Sequence, residues 1–107
     1  FLLNNYFIYI FSIIYMNKTK IKKSNKKNKK YQIETNNGIV HFGDKRYEQF
    51  EDTTGLGLYS HLNHKDKERN KNYCSRAMGI KNKKNQFTYN DPSSANYYSV
   101  RLLWNCL

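Results

Sequence analysis

The chain has 107 residues, 38% of them hydrophobic, and its formal net charge at pH 7 is +11. This length allows one small domain and leaves too little chain for a multilayer enzyme fold. The positive charge is concentrated, because residues 16–30 contain eight lysines and no acid, whereas residues 31–107 carry only +3.

Residues 1–15 form an apolar stretch that ends at Met16. The stretch is shorter than the roughly 20 residues of a membrane-spanning helix. Its basic residues follow the apolar run, whereas in a signal peptide the basic residues come first. Apart from Ser12, the residues of the stretch (Phe, Leu, Asn, Tyr and Ile) are those with A- and T-only codons, as in translated non-coding sequence. We predict that residues 1–15 are non-native upstream translation, that Met16 is the start and that the protein contacts no membrane. The alternative is an uncleaved anchor.

Residues 16–30 lack a hydrophobic period, which predicts a disordered lysine-rich tail. Order is expected to begin near Tyr31, so that residues 31–107 form the single domain. Lysine and asparagine are also favoured by AT-rich coding, so a high lysine count is weak support for a ligand.

The dipeptide Asn37-Gly38 predicts a β-hairpin with a two-residue type I′ loop. The resulting register pairs Asn36 with Ile39, Thr35 with Val40, Glu34 with His41 and Ile33 with Phe42. Ile33, Val40 and Phe42 then share one face, which other elements must cover.

Three helices are predicted after the hairpin. Asp44 is expected to cap a short helix over residues 45–50, and Asp66 to cap the clearest helix, residues 64–78, with Gly79 after its end. Residues 53–57 are predicted to be a turn, and residues 81–90 a polar loop or weak hairpin.

The last predicted helix begins after Asp91-Pro92, with Pro92 at its first position, and runs to about Trp104. It is apolar on most sides and is expected to dock on the face of Ile33 and Phe42. The predicted fold is therefore a small α+β domain, an N-terminal hairpin packed by two or three helices.

The two cysteines, Cys74 and Cys106, are too few for the disulfide framework of a small secreted domain. We expect two buried or indifferent thiols and a reducing compartment, and no catalytic nucleophile, since neither lies in a catalytic signature.

Three histidines could bind a metal, but His61 and His64 lack a partnering Cys-x-x-Cys pair. We predict no metal, no cofactor and no catalytic residue, so that the protein is not expected to be an enzyme. A small metal-dependent nuclease using His61, His64 and Asp66 is an alternative.

Basic residues are dense between positions 65 and 84, where eight cations stand against two acids. Such a surface binds DNA or RNA phosphates with little sequence specificity, although a solvated lysine-rich surface has the same composition. The candidate nucleic-acid-binding residues are Lys65, Arg69, Lys71, Tyr73, Arg76, Lys81, Lys83 and Lys84.

A set of short motifs follows the order HFG, HKD-x2-R-x3-Y-x2-R and S-x4-S-x3-LW between residues 39 and 104. The residues that carry it are His41, Phe42, Gly43, His64, Asp66, Arg69, Tyr73, Arg76, Ser94, Ser99, Leu103 and Trp104. The pattern resembles a family of small uncharacterised proteins of nucleocytoplasmic large DNA viruses and marine metagenomic relatives. Members often have His after the last Arg, where this chain has Ala77.

The resemblance brings no activity with it, but it implies a viral origin and a location in the infected-cell cytoplasm, the nucleus or the virion, without secretion. We therefore expect a non-enzymatic, basic viral accessory or virion-associated protein that contacts nucleic acid through its tail and the 65–84 surface. The alternative is a viral structural or protein-interaction module whose partners are other viral proteins. In that case Arg69, Tyr73, Arg76 and Trp104 only build the fold.

Overall fold

The computed structural model describes residues 20–107, and the sheet occupies the first part of this range. Strands β1 (Ile21–Lys23), β2 (Lys29–Thr35) and β3 (Gly38–Asp44) are antiparallel neighbours in that order. The predictions about residues 1–15, about Met16 as the start and about tail residues 16–19 lie outside the described range.

Short helical segments follow the sheet. A 3₁₀ turn, Ser60–Leu62, precedes helix α1 (Lys67–Ala77), and a second 3₁₀ turn, Thr88–Asn90, precedes helix α2 (Ala95–Tyr98). Helix α2 continues directly into a π-helical stretch, Ser99–Leu103. The predicted small α+β domain is confirmed. Among residues 20–107, no helix is long and apolar enough to cross a membrane.

The core lies between the sheet and the C-terminal helical stretch. The Phe42 ring is fully buried, and its centroid lies 5.6 Å from that of Tyr98 and 5.9 Å from that of Tyr31. The buried members of this core are Ile21, Tyr31, Ile33, Phe42, Tyr59, Tyr98 and Leu103. Docking of the last helix on the Ile33 and Phe42 face is therefore confirmed.

Residues 20–30 correct the prediction of a disordered tail. β1 pairs with β2 through Ile21 opposite Ile33, and Ile21 is only 4% exposed. Lys30 is 2% exposed within β2. One apolar residue, Ile21, is enough to anchor a short strand when a neighbouring strand supplies the backbone hydrogen bonds, and a search for hydrophobic period cannot detect it.

The hairpin is confirmed, but its register differs from the prediction by two residues. The turn is Asn36–Asn37, and Thr35 pairs with Gly38, Ile33 with Val40 and Tyr31 with Phe42. The Thr35 hydroxyl donates to the Gly38 carbonyl at 2.6 Å, and Gly38 itself has a φ of +119°. Because side chains alternate with a period of two, this shift leaves the predicted core face unchanged.

The predicted helix over residues 45–50 is wrong. Asp44 does cap, but it caps a turn: its carboxylate accepts from the Arg46 backbone N–H at 2.9 Å. Gln49 then forms a bridge with Asn63 and is fully buried. These tertiary contacts hold the segment in turns and a single bridge, against its local helical pattern.

The helix at residues 64–78 is confirmed as α1, with Asp66 as its N-cap. The Asp66 carboxylate accepts from the backbone N–H groups of Glu68 and Arg69 at 3.0 and 3.1 Å. The last helix begins later than predicted, because Ser94 caps it and Pro92 lies in the preceding turn. Residues 81–90 form a loop closed by one bridge, Lys81 with Phe87, as predicted.

The expectation of two thiols is wrong, because Cys74 and Cys106 form a disulfide. The bond ties α1 to the C-terminal segment across 32 residues of sequence. The spacing of the two cysteines along the chain did not predict this disulfide. They come together only because α2 and the residues after it dock on the rest of the fold. Disulfides persist mainly in oxidising environments, so the argument for a reducing compartment is lost and the intracellular location stays a prediction.

Candidate functional site

A cleft of about 670 Å³ lies between the sheet, the turn after β3, α1 and the C-terminal helical stretch. This volume is within the range of small-molecule sites. Its lining contains apolar and aromatic residues as well as charged ones. The lining residues used below are Lys29, Lys30, Arg46, Tyr47, Arg69, Tyr73, Ile80, Leu103 and Trp104.

Lys30 contributes to the cleft from β2, although it is almost fully buried. Its ammonium donates to the Tyr47 carbonyl at 2.9 Å and to Oε1 of Gln49. Both acceptors are uncharged, and within residues 20–107 no carboxylate lies within ion-pair distance of the group. Burial lowers the pKa of Lys30 to about 8, and the more distant charges of Asp52 and Asp44 oppose the shift only in part.

Gln49 connects Lys30 to the loops behind the cleft. Its side-chain N–H groups donate to the Tyr59 carbonyl at 2.7 Å and to Oδ1 of Asn63 at 2.6 Å. Asn63 Oδ1 also accepts from the Asp52 N–H at 2.8 Å. The buried side-chain amide of Gln49 and the ammonium of Lys30 both have hydrogen-bond partners, so Lys30 is held in one position.

Gly43 allows the close packing above Lys30. It has a φ of +76°, and a Cβ there would lie 2.9 Å from Cδ1 of Leu103 and 3.0 Å from Cδ of Lys30. A larger residue would therefore have to displace the wall of the cleft.

Two exposed arginines stand at the rim, each beside an acid. Arg46 makes a two-pronged contact with Asp44, with Nε–Oδ1 and NH2–Oδ2 distances of 3.0 and 2.7 Å. This contact holds the pKa of Asp44 well below its usual range. Arg69 donates to Oε1 of Glu48 at 3.0 Å. Their side chains are 59% and 50% exposed, so solvent screens both pairs.

Tyr73 and Trp104 form the aromatic side of the cleft. Their ring centroids are 3.8 Å apart and their planes differ by 8°, so the two rings stack. The contact joins α1 to the residue after the π-helical stretch. One face of Tyr73 is therefore used within the fold, which restricts its predicted role as a stacking platform for a base.

The basic residues of α1 do not share one side. At roughly 100° per residue, Arg69 and Arg76 flank Tyr73, whereas Lys71 is turned about 140–160° away from both. Arg69 lines the cleft, and Arg76 is exposed on the same flank. Lys65, Lys81, Lys83 and Lys84 are exposed in the segments before and after the helix. The cleft thus brings Arg69 together with Lys29, which was predicted only as part of the basic tail, and with Arg46, which was not among the candidate residues. Arg76 is not part of the cleft lining.

Two of the three residues of the nuclease alternative, His64 and Asp66, are used in capping. Nδ1 of His64 accepts from the Asp66 N–H at 2.9 Å, and the Asp66 carboxylate caps α1. His64 Nε2 is buried without a partner, and burial lowers the pKa of the ring. His61 is exposed. In the described part of the chain, no group of three or more His, Cys, Asp or Glu residues is arranged to hold a metal.

Most residues of the motif set have a place in the fold. Phe42 and Leu103 are core residues, and Ser94 caps α2. Nδ1 of His41 forms a hydrogen bond with the Ser24 hydroxyl across the sheet, and the two atoms are 2.7 Å apart. Ser99 is buried in the π-helical stretch. Their occurrence together in one pattern is therefore accounted for by packing and capping.

Comparison with known proteins gives one partial match. A family described as "Family of unknown function (DUF5754)" matches residues 19–54, about a third of the chain. The matched segment contains β1, β2, β3, Lys30 and Gln49. No curated protein and no solved structure matches the chain. The resemblance to proteins of large DNA viruses stays a prediction.

The unusual state of Lys30 predicts a pH dependence. Between pH about 8 and 10.5 the unfolded chain keeps a proton on Lys30 that the folded chain has released. Unfolding then takes up a proton, so the free energy of unfolding should rise as the pH increases through this range. Denaturant titrations at pH 8 and pH 10 should show the rise in the native protein and its absence in Lys30→Met. An equal change in the free energy of unfolding of the two proteins would contradict the lowered pKa of Lys30.

Proposed function

We propose that this protein is a non-enzymatic nucleic-acid-binding protein that contacts phosphates through a basic surface around the cleft. The surface is defined by Lys29, Arg46, Arg69 and Arg76, and it is extended by the lysines of the β1–β2 turn and of residues 81–84. The observation that supports the proposal is that the half-buried Lys29 of β2 meets the exposed Arg46 of the turn after β3 and the exposed Arg69 of α1 at one cleft. Such clusters bind phosphates by releasing counterions.

The cations of this surface are available to a ligand. Within residues 20–107 the ion pairs are Arg46 with Asp44 and Arg69 with Glu48, so Lys29, Arg76 and the lysines of residues 81–84 have no carboxylate partner there. An exposed ion pair contributes only about 0–1 kcal/mol. Arg69 can therefore exchange Glu48 for a phosphate at little cost.

The two sides of α1 provide a matched test. Arg69→Gln/Arg76→Gln and Lys67→Gln/Lys71→Gln remove the same charge from exposed positions of one helix. We expect the arginine variant to bind a labelled DNA duplex and a labelled single strand about tenfold more weakly. Loss of two phosphate contacts should reduce the slope of log K against log salt by about 1.8 on the duplex. The lysine variant should change both quantities less.

Fluorescence anisotropy from about 50 to 200 mM salt measures these quantities, and circular dichroism checks that both variants are folded. An absence of binding by the native protein at the lowest salt would contradict the proposal. Equal losses of DNA affinity in the two variants would indicate that binding depends on the net charge of the protein and not on the cleft surface. A deletion of residues 16–30 is unsuitable as a test, because it removes β1 and the buried Lys30.

A viral structural or protein-interaction module is the second candidate. Leu56 and Leu58 are 42% and 48% exposed in the loop before Tyr59, where an apolar contact to another protein is possible. The stacking of Tyr73 on Trp104 also agrees with a structural role for these two residues. Under this alternative, Leu56→Ser/Leu58→Ser would abolish a partner contact and leave DNA titrations unchanged.

A further inference from the structure

We propose that the cleft is a binding site for one nucleotide unit, with the base against the aromatic side and the phosphate at Arg46 and Arg69. This inference deepens the proposed function and rests on it, since it names the place where a strand is held. The same chemistry is offered by a free nucleoside monophosphate. The experiment below separates the two sources.

The charge of the cleft matches a phosphate monoester. Lys29, Lys30, Arg46 and Arg69 supply four cations, and Asp44 and Glu48 supply two carboxylates, which leaves a net charge of +2. A phosphate monoester carries about −1.5 to −2 at pH 7, and each phosphodiester of a strand carries about −1, so the cleft is positive enough to hold either group. At pH 7 Lys30 adds a positive charge beneath the rim, and its buried ammonium is paired only with neutral acceptors.

The donors at the rim are not exhausted by their present partners. Arg46 uses Nε and NH2 on Asp44, and Arg69 uses NH1 on Glu48. A guanidinium has further N–H groups, which can reach a second anion in the same plane. The two arginines come from different elements, the turn after β3 and α1, so that a phosphate between them would bridge the opening of the cleft.

The apolar part of the cleft lining suits a planar ring. Tyr73, Ile80, Leu103 and Trp104 provide apolar lining, and the Tyr47 ring is 65% exposed beside the opening. Contact between a base and an aromatic side chain contributes about 1–3 kcal/mol and accepts any base. An apolar side and a cationic rim within one cleft therefore select a ligand that has both parts, over phosphate alone or a nucleoside alone.

Trp104 is the single tryptophan of the chain, so its fluorescence reports on the cleft directly. We expect AMP to change this fluorescence in a saturable way and to bind at least about tenfold more tightly than adenosine or inorganic phosphate. Arg46→Gln/Arg69→Gln should weaken AMP binding about tenfold. Both side chains are at least half exposed, so that variant is expected to fold. Lys67→Gln/Lys71→Gln, on the other side of α1, should bind AMP as the native chain does.

A labelled single strand distinguishes the outcomes. If the strand binds and competes with AMP, the cleft holds a nucleotide of the polymer. If AMP binds and the strand does not, the site takes the free nucleotide and the proposed function fails while the site stands. If the strand binds but AMP up to about 10 mM leaves the Trp104 fluorescence unchanged, the nucleotide site is contradicted and the proposed function is not. The same conclusion follows if the strand binds and the two double variants lose the same amount of AMP affinity.

Discussion

Phe42→Ala should lower the free energy of unfolding by about 3–5 kcal/mol. The Phe42 side chain is fully buried, and its ring contacts those of Tyr31 and Tyr98. The substitution removes the apolar area and leaves a cavity between the sheet and the last helix, where both walls are held by other contacts. Much of the stability of a domain of this size would be lost, since small domains have only about 5–15 kcal/mol in total.

Ile39→Ala provides the control within the same strand. Ile39 is 52% exposed on β3, so its loss should cost well under half as much. Urea titrations followed by circular dichroism compare the two variants with the native protein. Similar midpoints for Phe42→Ala and Ile39→Ala would contradict the assigned face of the sheet and with it the docking of α2.

Features encoded by neighbouring residues were predictable from the sequence. The cap at Asp66 needs only the local order of residues, because the carboxylate bonds to N–H groups two and three positions ahead. The core face of the hairpin was correct although the turn was misplaced by one residue and each pairing by two, because a shift of two in the pairing preserves the alternation of side chains.

Features that depend on distant contacts were not predictable. Residues 45–50 have a local helical pattern, but Gln49 is taken into a bridge with Asn63 and bonds to Lys30. Lys30 itself lies in a run of lysines, where each residue is expected in solvent, and its burial depends on two acceptors supplied from residues 47 and 49. A single-sequence pattern contains no signal for such a pairing.

The candidate site shows the same division. Arg69, Tyr73 and Arg76 were grouped correctly on one flank of α1, since helical geometry alone decides this. Lys29 was expected only as part of a disordered basic tail, and Arg46 was missed, because both reach the cleft only through the pairing of β2 with β3 and the turn that follows. Predicting the stack of Tyr73 on Trp104 would likewise have required the docking of the C-terminal stretch.

The Cys74–Cys106 bond should be the other large contributor to stability. It closes a loop with a sequence separation of 32 residues, for which the chain-entropy relation gives about 3–4 kcal/mol. Cys74→Ser/Cys106→Ser should therefore lose about this amount in urea titrations relative to the oxidised protein. A reductant should lower the stability of the native protein by a similar amount and leave the double variant unchanged, which separates the bond from the effect of the substitutions.

The bond also lies next to the aromatic side of the cleft, since Cys74 follows Tyr73 and Cys106 lies two residues beyond Trp104. With the bond broken, the C-terminal segment keeps contacts such as the Cys106 N–H to Val100 carbonyl bond at 2.7 Å. We therefore expect a folded but less stable protein in reductant, with altered Trp104 fluorescence. Alkylation and intact mass give the direct check: two alkylated cysteines in the unreduced native protein would contradict the disulfide, and a reductant-insensitive unfolding midpoint would contradict its contribution.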